Sequence, residues 1–200
     1  TLFMSKKKII LLITSVIVLV VVTIGISYAA FTYSGIGNKE NTITTGAISM
    51  SYTESTNTIS MSNALPTTDT TGKTRKNSGE YFDFTVKSSI AGNTDINYEI
   101  AAKEETGNTF SGSNIKYYLT SVDSNGKETE VMAPRIYYEE PSGNVYTGRP
   151  ADMMSLYVGN LKNQGETTIN YRLRIWVDEN YNPQNDNGGL TYKVRVNVYG

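Results

Sequence analysis

From Ile169 to Val177 the chain alternates apolar and polar side chains almost without a break. Ile169, Tyr171, Leu173, Ile175 and Val177 fall on one register, and Asn170, Arg172, Arg174 and Trp176 on the other. A helix repeats its faces about every 3.6 residues and scatters such a series around its circumference. A strand gathers it on one side, because successive side chains point to opposite faces. Tyr192, Val194, Val196 and Val198 repeat the pattern, interleaved by Lys193, Arg195 and Asn197. Each run is expected to bury its apolar face and wet the other, so Ile175 and Val177 belong inside and Arg172 and Arg174 in water.

Shorter stretches with the same period precede these two. They are Ile48-Met50-Tyr52, Phe82-Phe84-Val86, Ile96-Tyr98-Ile100-Ala102, Ile115-Tyr117-Leu119, Ile136-Tyr138 and Leu156-Val158. Asn125-Gly126, Ser142-Gly143-Asn144 and Asn187-Gly188-Gly189 carry turn chemistry between them. About eight or nine strands follow from this spacing, with no long helix. The Thr-rich stretch Pro66 to Glu80 is expected to be an exposed loop, and a short helical piece is placed at Ala151–Met154. The fold class is therefore all-β: an antiparallel two-sheet β-sandwich, jelly-roll-like, occupying residues 42–200 as one domain.

An N-terminal apolar signal helix is expected ahead of it. Lys6, Lys7 and Lys8 lead into Ile9–Ile26, which is broken only by Thr14, Ser15, Thr23 and Gly25, and Ser27-Tyr28-Ala29 follows. Basic, apolar and small-x-small segments in that order mark a secretory signal. Cleavage is expected between Ala29 and Ala30, since a cut one residue later puts bulky Tyr28 at the minus-three place. Met4 is the expected start of translation. Residues 1–29 are thus a signal peptide that engages the membrane through residues 9–26 before cleavage. The alternative is retention as an anchor, because an apolar run of this length also reaches the lower limit of a membrane span. Residues 30–41 form an extended segment between signal and domain.

Which chemistry the chain can perform is limited by what it lacks. It has no Cys and no His. Disulfides, zinc sites built on those ligands, Ser-His-Asp catalysis and the commonest general base are all removed. The pairs Glu104-Glu105 and Glu139-Glu140 are most simply solvated loop charges. No cofactor is implied, and an enzyme is not expected. Cleavage after Ala29 leaves 171 residues (200 minus 29), enough to bury a core without cross-links. The chain has 18 basic and 19 acidic side chains; losing the three lysines leaves 15 against 19, a net charge near minus four. That balance argues against nucleic acid, which calls for a basic face.

The start of the exported part resembles a known family. Ser27-Tyr28-Ala29-Ala30-Phe31, then Asn41 to Glu54 (NTITTGAISMSYTE), is similar to the TasA and camelysin proteins. In those Gram-positive exported proteins Ala-Phe follows the cut, and a Thr-x-Thr/Ser-Gly-x-Leu-x-Leu strand comes next. Ile48 and Met50 stand here in the apolar places. Ile59–Pro66, Phe82–Val86 and Thr168–Asn180 also resemble family segments, whereas residues 106–163 match nothing in it. The resemblance implies a jelly-roll domain, secreted or kept at the extracellular cell surface, processed by a SipW-type signal peptidase and building biofilm-matrix fibres. It also implies self-association by donation of an N-terminal strand. The metallopeptidase label of some relatives finds no His here to support it.

Three places are candidates for function. Phe31 and Tyr33 fall on one face of the extended segment and are the expected assembly residues, since an added strand gains backbone hydrogen bonds and side-chain pockets; the competing reading is an ordinary tail or first strand. Asp178, Asn180 and Asn182 have the spacing of a calcium loop, but Pro183 and Gly189 stand where that loop needs Gly and Glu. Tyr117-Tyr118 and Tyr137-Tyr138 should each turn one ring outward. Two functions remain: a structural fibre subunit, and a membrane-tethered, monomeric surface adhesion or binding domain.

Overall fold

The computed structural model describes residues 7, 13–18, 41–45, 48–53, 56–62, 64–76, 81–88, 95–138, 148–161, 167–182 and 191–200. Residues 1–33 and 34–200 form separate compact units. In the first, the described residues are helical. Among the described residues no helix is long and apolar enough to cross a membrane. Ala29, Ala30, Phe31 and Tyr33 lie outside the described residues.

The second unit is a β-sandwich of eleven strands: β1 Asn41–Thr45, β2 Ile48–Tyr52, β3 Thr58–Ser62, β4 Pro66–Thr67, β5 Tyr81–Ser88, β6 Ile96–Glu104, β7 Ile115–Val122, β8 Glu128–Ile136, β9 Met154–Leu161, β10 Thr167–Asp178 and β11 Thr191–Tyr199. The larger sheet runs β1-β2-β5-β10-β7-β8, with the two-residue β4 also on β10; the smaller runs β3-β11-β6-β9. All pairings are antiparallel except β4 with β10, where Val177 faces Pro66. The chain weaves between the sheets, so each sheet is built from strands distant in sequence. The antiparallel two-sheet sandwich expected from the alternation is the observed fold.

The alternation works as expected on the inner faces. Phe82, Phe84 and Val86 of β5 and Tyr171, Leu173, Ile175 and Val177 of β10 meet Tyr98 and Ile100 of β6 and Tyr192, Val194, Val196 and Val198 of β11, all buried. Full burial of such side chains contributes roughly 1.5–3 kcal/mol each. Polar links cross this core. Tyr98 hydrogen-bonds Tyr171, and Tyr117 hydrogen-bonds Tyr192, each pair joining one sheet to the other.

Four expectations are corrected. The described residues hold eleven strands rather than eight or nine, because β1, β3 and β4 are too short to show much alternation. Pro66 to Glu80 is not simply a loop: β4 is followed by the helix Asp69–Lys73, capped by Thr68, whose hydroxyl accepts from Thr71 N at 3.4 Å. The stretch from Ala151 is turn, not helix, and β9 begins at Met154. Finally, Arg174 and Trp176 are not wet: they are 1% and 0% exposed.

Candidate functional site

The helix Asp69–Lys73 explains that last correction. It lies on the outer face of the larger sheet, against the outward side chains of β10. A Cβ at Gly72 would stand 2.3 Å from Trp176 Cδ2, so only glycine lets the helix backbone close on the indole. Lys73 sits 5.2 Å from the Tyr118 ring centre and 2.9 Å from Glu130 Oε2. Lys116 reaches Asp69 at 2.8 Å. The helix is thus pinned from two sides, over an aromatic pair of Tyr118 and Trp176.

Buried Arg174 is fully partnered on three of its donors. Its Nη1 and Nη2 donate to Glu128 Oε2 and Oε1 at 2.6 and 2.9 Å, and its Nε donates to the Arg75 carbonyl at 2.7 Å. One step along β10, Arg172 stands opposite Asp83 of β5 and holds it with two bonds of 2.7 Å. Its Nη1 reaches Glu128 Oε1 at 3.0 Å, and its guanidinium lies 4.1 Å from the Tyr81 ring centre. The hydrogen bond from Arg174, supported by Thr120 and Arg172, holds the Glu128 carboxyl down at about 2. Asp83 raises the Arg172 pKa. Two carboxylates therefore meet on Arg172, but both are fixed in ion pairs and Glu128 has no proton to give near neutral pH. This arrangement braces a sheet; it does not provide acid–base chemistry.

Beside the network is an open depression of about 370 Å³ lined by Ser51, Thr53, Asp83, Thr85, Val122 and Asn170 among others. Thr85 donates to Asn170 Oδ1 at 2.9 Å. Ser51 Oγ is buried and has no hydrogen-bond partner among the described residues. The lining offers hydroxyls, an amide and one arginine-held carboxylate. Among the described residues no group of three or more His, Cys, Asp or Glu side chains could hold a metal ion.

The remaining candidates are placed as follows. Asp178 Oδ1 accepts from Asn180 N at 2.7 Å and Asn180 Nδ2 at 2.9 Å, and its Oδ2 lies 3.2 Å from Lys116 Nζ. That carboxylate closes its own turn, while Pro183 and Gly189 lie outside the described residues. Tyr138 turns outward as expected of one member of its pair, but both Tyr117 and Tyr118 are buried, the latter towards Trp176. Glu104 accepts from Gly112 N and Tyr138 OH, each at 2.8 Å, and Glu105 pairs with Arg195 at 2.6 Å. Glu139 and Glu140 lie outside the described residues.

Sequence reasoning missed Glu128, which looks like any strand-end carboxylate. A signal was present for the buried face: Trp176 on the polar register of β10 requires something to cover it, and Thr68, Asp69 and Gly72 supply a cap, a first-turn acid and a close approach.

No family model matches the chain, and no curated protein matches it. Among solved structures it is similar to a β-glucosidase from Kluyveromyces marxianus in complex with glucose. The match has 13% identity and a TM-score of 0.23, and covers 60% of this chain and 11% of that one. The chain thus spans about a tenth of that enzyme's length, and so slight a likeness bears on neither fold nor activity.

Proposed function

We propose that this protein is a secreted or cell-surface structural subunit of an extracellular matrix fibre. On this reading it is released by a SipW-type signal peptidase between Ala29 and Ala30 and assembles by donating residues 30–39, with Phe31 and Tyr33 as anchors, to the next copy. One observation carries it. Among the described residues the sandwich has open strand edges, and the edge strand β1 begins at Asn41, two residues after the last of the segment to be donated. Exposed edges invite pairing, and a head-to-tail contact between copies need not close, so it extends into a filament. The resemblance to the TasA and camelysin proteins points the same way. Neither nucleic acid nor a cofactor has a part in it.

The experiment compares three forms of the exported protein by light scattering and electron microscopy. The form starting at Ala30 is expected to make fibres. The form starting at Asn41 is expected to fold and stay monomeric, and Phe31→Asp to weaken assembly without unfolding the sandwich. Identical fibres from the truncated form would refute strand donation.

The polar depression around Asp83 and Asn170 favours a second reading, a tethered, monomeric adhesion domain. Intact mass separates the two. Released fibre-forming material begins Ala-Phe-Thr-Tyr, whereas a tethered domain keeps residues 9–26 and sediments with membranes.

A further inference from the structure

We propose that the acceptor of the donated strand is the outer edge of β9, and that Arg135 of β8 guards that edge. The inference rests on the strand-donation reading above and names the surface that reading leaves open.

Among the described residues four strands end a sheet: β1, β8, β3 and β9. They are not equally suited to receive another strand. β8 (ETEVMAPRI) carries Glu128, Glu130 and Arg135, and Pro134 has no N–H to offer. Charge and proline are devices that blunt an edge. β1 and β3 are five residues each, and beside β3 the Asn57 side chain is tied back to Val196 and Asn197 of β11. β9 (MSLYVGNL) differs from β8 in having no charged residue and no proline, and it exceeds β1 and β3 with eight residues.

Residues 30–39 (AFTYSGIGNK) match β9 in character, being uncharged up to Lys39. At about 3.3 Å per residue, eight strand residues span roughly 26 Å and ten span roughly 33 Å, so the segment covers the edge with little to spare. Paired as a strand, the segment would put Phe31, Tyr33, Gly35 and Gly37 on one face. Two large anchors followed by two glycines allow a tight approach along the rest of the strand.

A device already sits on β9. Arg135 Nη2 donates to the Ser155 carbonyl at 3.1 Å and also to the carbonyl of Leu156. Leu156 is the extra residue where the register of β9 on β6 shifts, opposite Ile100 and Ala101. An incoming strand brings its own N–H groups to these carbonyls, so the guanidinium has to leave as the strand zips on. While it stays, the edge is closed to chance partners. It yields only to a segment that replaces its bonds along the whole strand.

Because the chain has no Cys, introduced thiols report contacts without background. Thr32→Cys is combined in turn with Asn160→Cys on β9, Thr129→Cys on β8 and Ser62→Cys on β3, all exposed edge-strand positions. The exported chain is then treated with a short bis-maleimide long enough to bridge neighbouring registers. A ladder of covalent oligomers is expected from the Thr32→Cys, Asn160→Cys pair alone. A ladder from either other pair refutes β9 while leaving strand donation intact. Fibres without any ladder refute β9 as well. Absence of both ladders and fibres removes the assembly reading itself, and a cross-link confined to single chains refutes a second copy as occupant. Arg135→Ala is expected to shorten the assembly lag at least about threefold, with Arg135→Gln as the milder form if the alanine variant fails to fold. An unchanged lag in a folded variant refutes the guard.

Discussion

The phenol oxygens of Tyr117 on β7 and Tyr192 on β11 lie 2.7 Å apart in the middle of the sandwich, joining the two sheets by a hydrogen bond sealed from water. Burial raises the pKa of both hydroxyls. Each phenol is the other's hydrogen-bond partner across the core.

Tyr192→Phe or Tyr117→Phe strands the partner hydroxyl in an apolar interior, and each is expected to cost about 1–3 kcal/mol. The double variant leaves no hydroxyl stranded and should cost less than the sum of the two single losses. Urea unfolding of both single variants and the double variant measures the coupling. Strictly additive losses would contradict a hydrogen bond between the two sheets.

The depressed Glu128 pKa sets a direction for acid sensitivity. Its folded value is about 2 against an ordinary 4.5, so the contribution is fully present above pH 4.5 and is lost as the pH falls towards 2. The loss from this group is roughly 2–3 kcal/mol. Glu128→Gln is expected to flatten the fall of stability between those pH values, followed by the urea midpoint at each pH. The variant also lowers stability at neutral pH, because Arg174 is then buried without a counter-charge.

Gly72→Ala places a methyl where the Trp176 ring already is, so the helix has to lift or the indole turn. The expected cost is about 1–3 kcal/mol. The chain has a single tryptophan, so fluorescence reports this site directly. A red shift with an unchanged β-type circular dichroism spectrum is expected, and an unshifted spectrum would mean the helix does not cover the ring.

Burial pushes the Tyr98 and Tyr137 hydroxyls up to about 12, and raises those of Tyr171 and Tyr192 as well. Since the neutral forms are the ones the fold favours, their contribution is complete below pH 10 and is lost as the pH rises through 12. Titration at 295 nm should show a delayed group of tyrosines whose ionisation coincides with loss of structure. Smooth titration of all tyrosines near pH 10 in the folded protein would contradict it.

How much of this was legible in the sequence follows from what local patterns encode. The inner faces of β10 and β11 were, because alternation needs only a core on one side. The outer face was not. Arg174 has the same neighbours in sequence as a solvated arginine, and its burial depends on Glu128, 46 residues away in sequence, and on the Arg75 carbonyl, 99 residues away. Trp176 was the one local hint, since a large ring on the polar register needs a cover. The depression around Asp83 was equally hidden, because its lining comes from β2, β5, β7 and β10.

The strand order bears on the timing of folding. β10 holds the middle of the larger sheet and β11 an inner place in the smaller, yet they are the last two strands in the chain. Before they emerge, β5 has no path to β7, and β3 has none to β6. A chain made N-terminus first therefore leaves both sheets without their joining strands until β10 and β11 appear, and then closes both at once. Contacts so distant in sequence form slowly. Closure of the sandwich is thus a late step that falls to two strands.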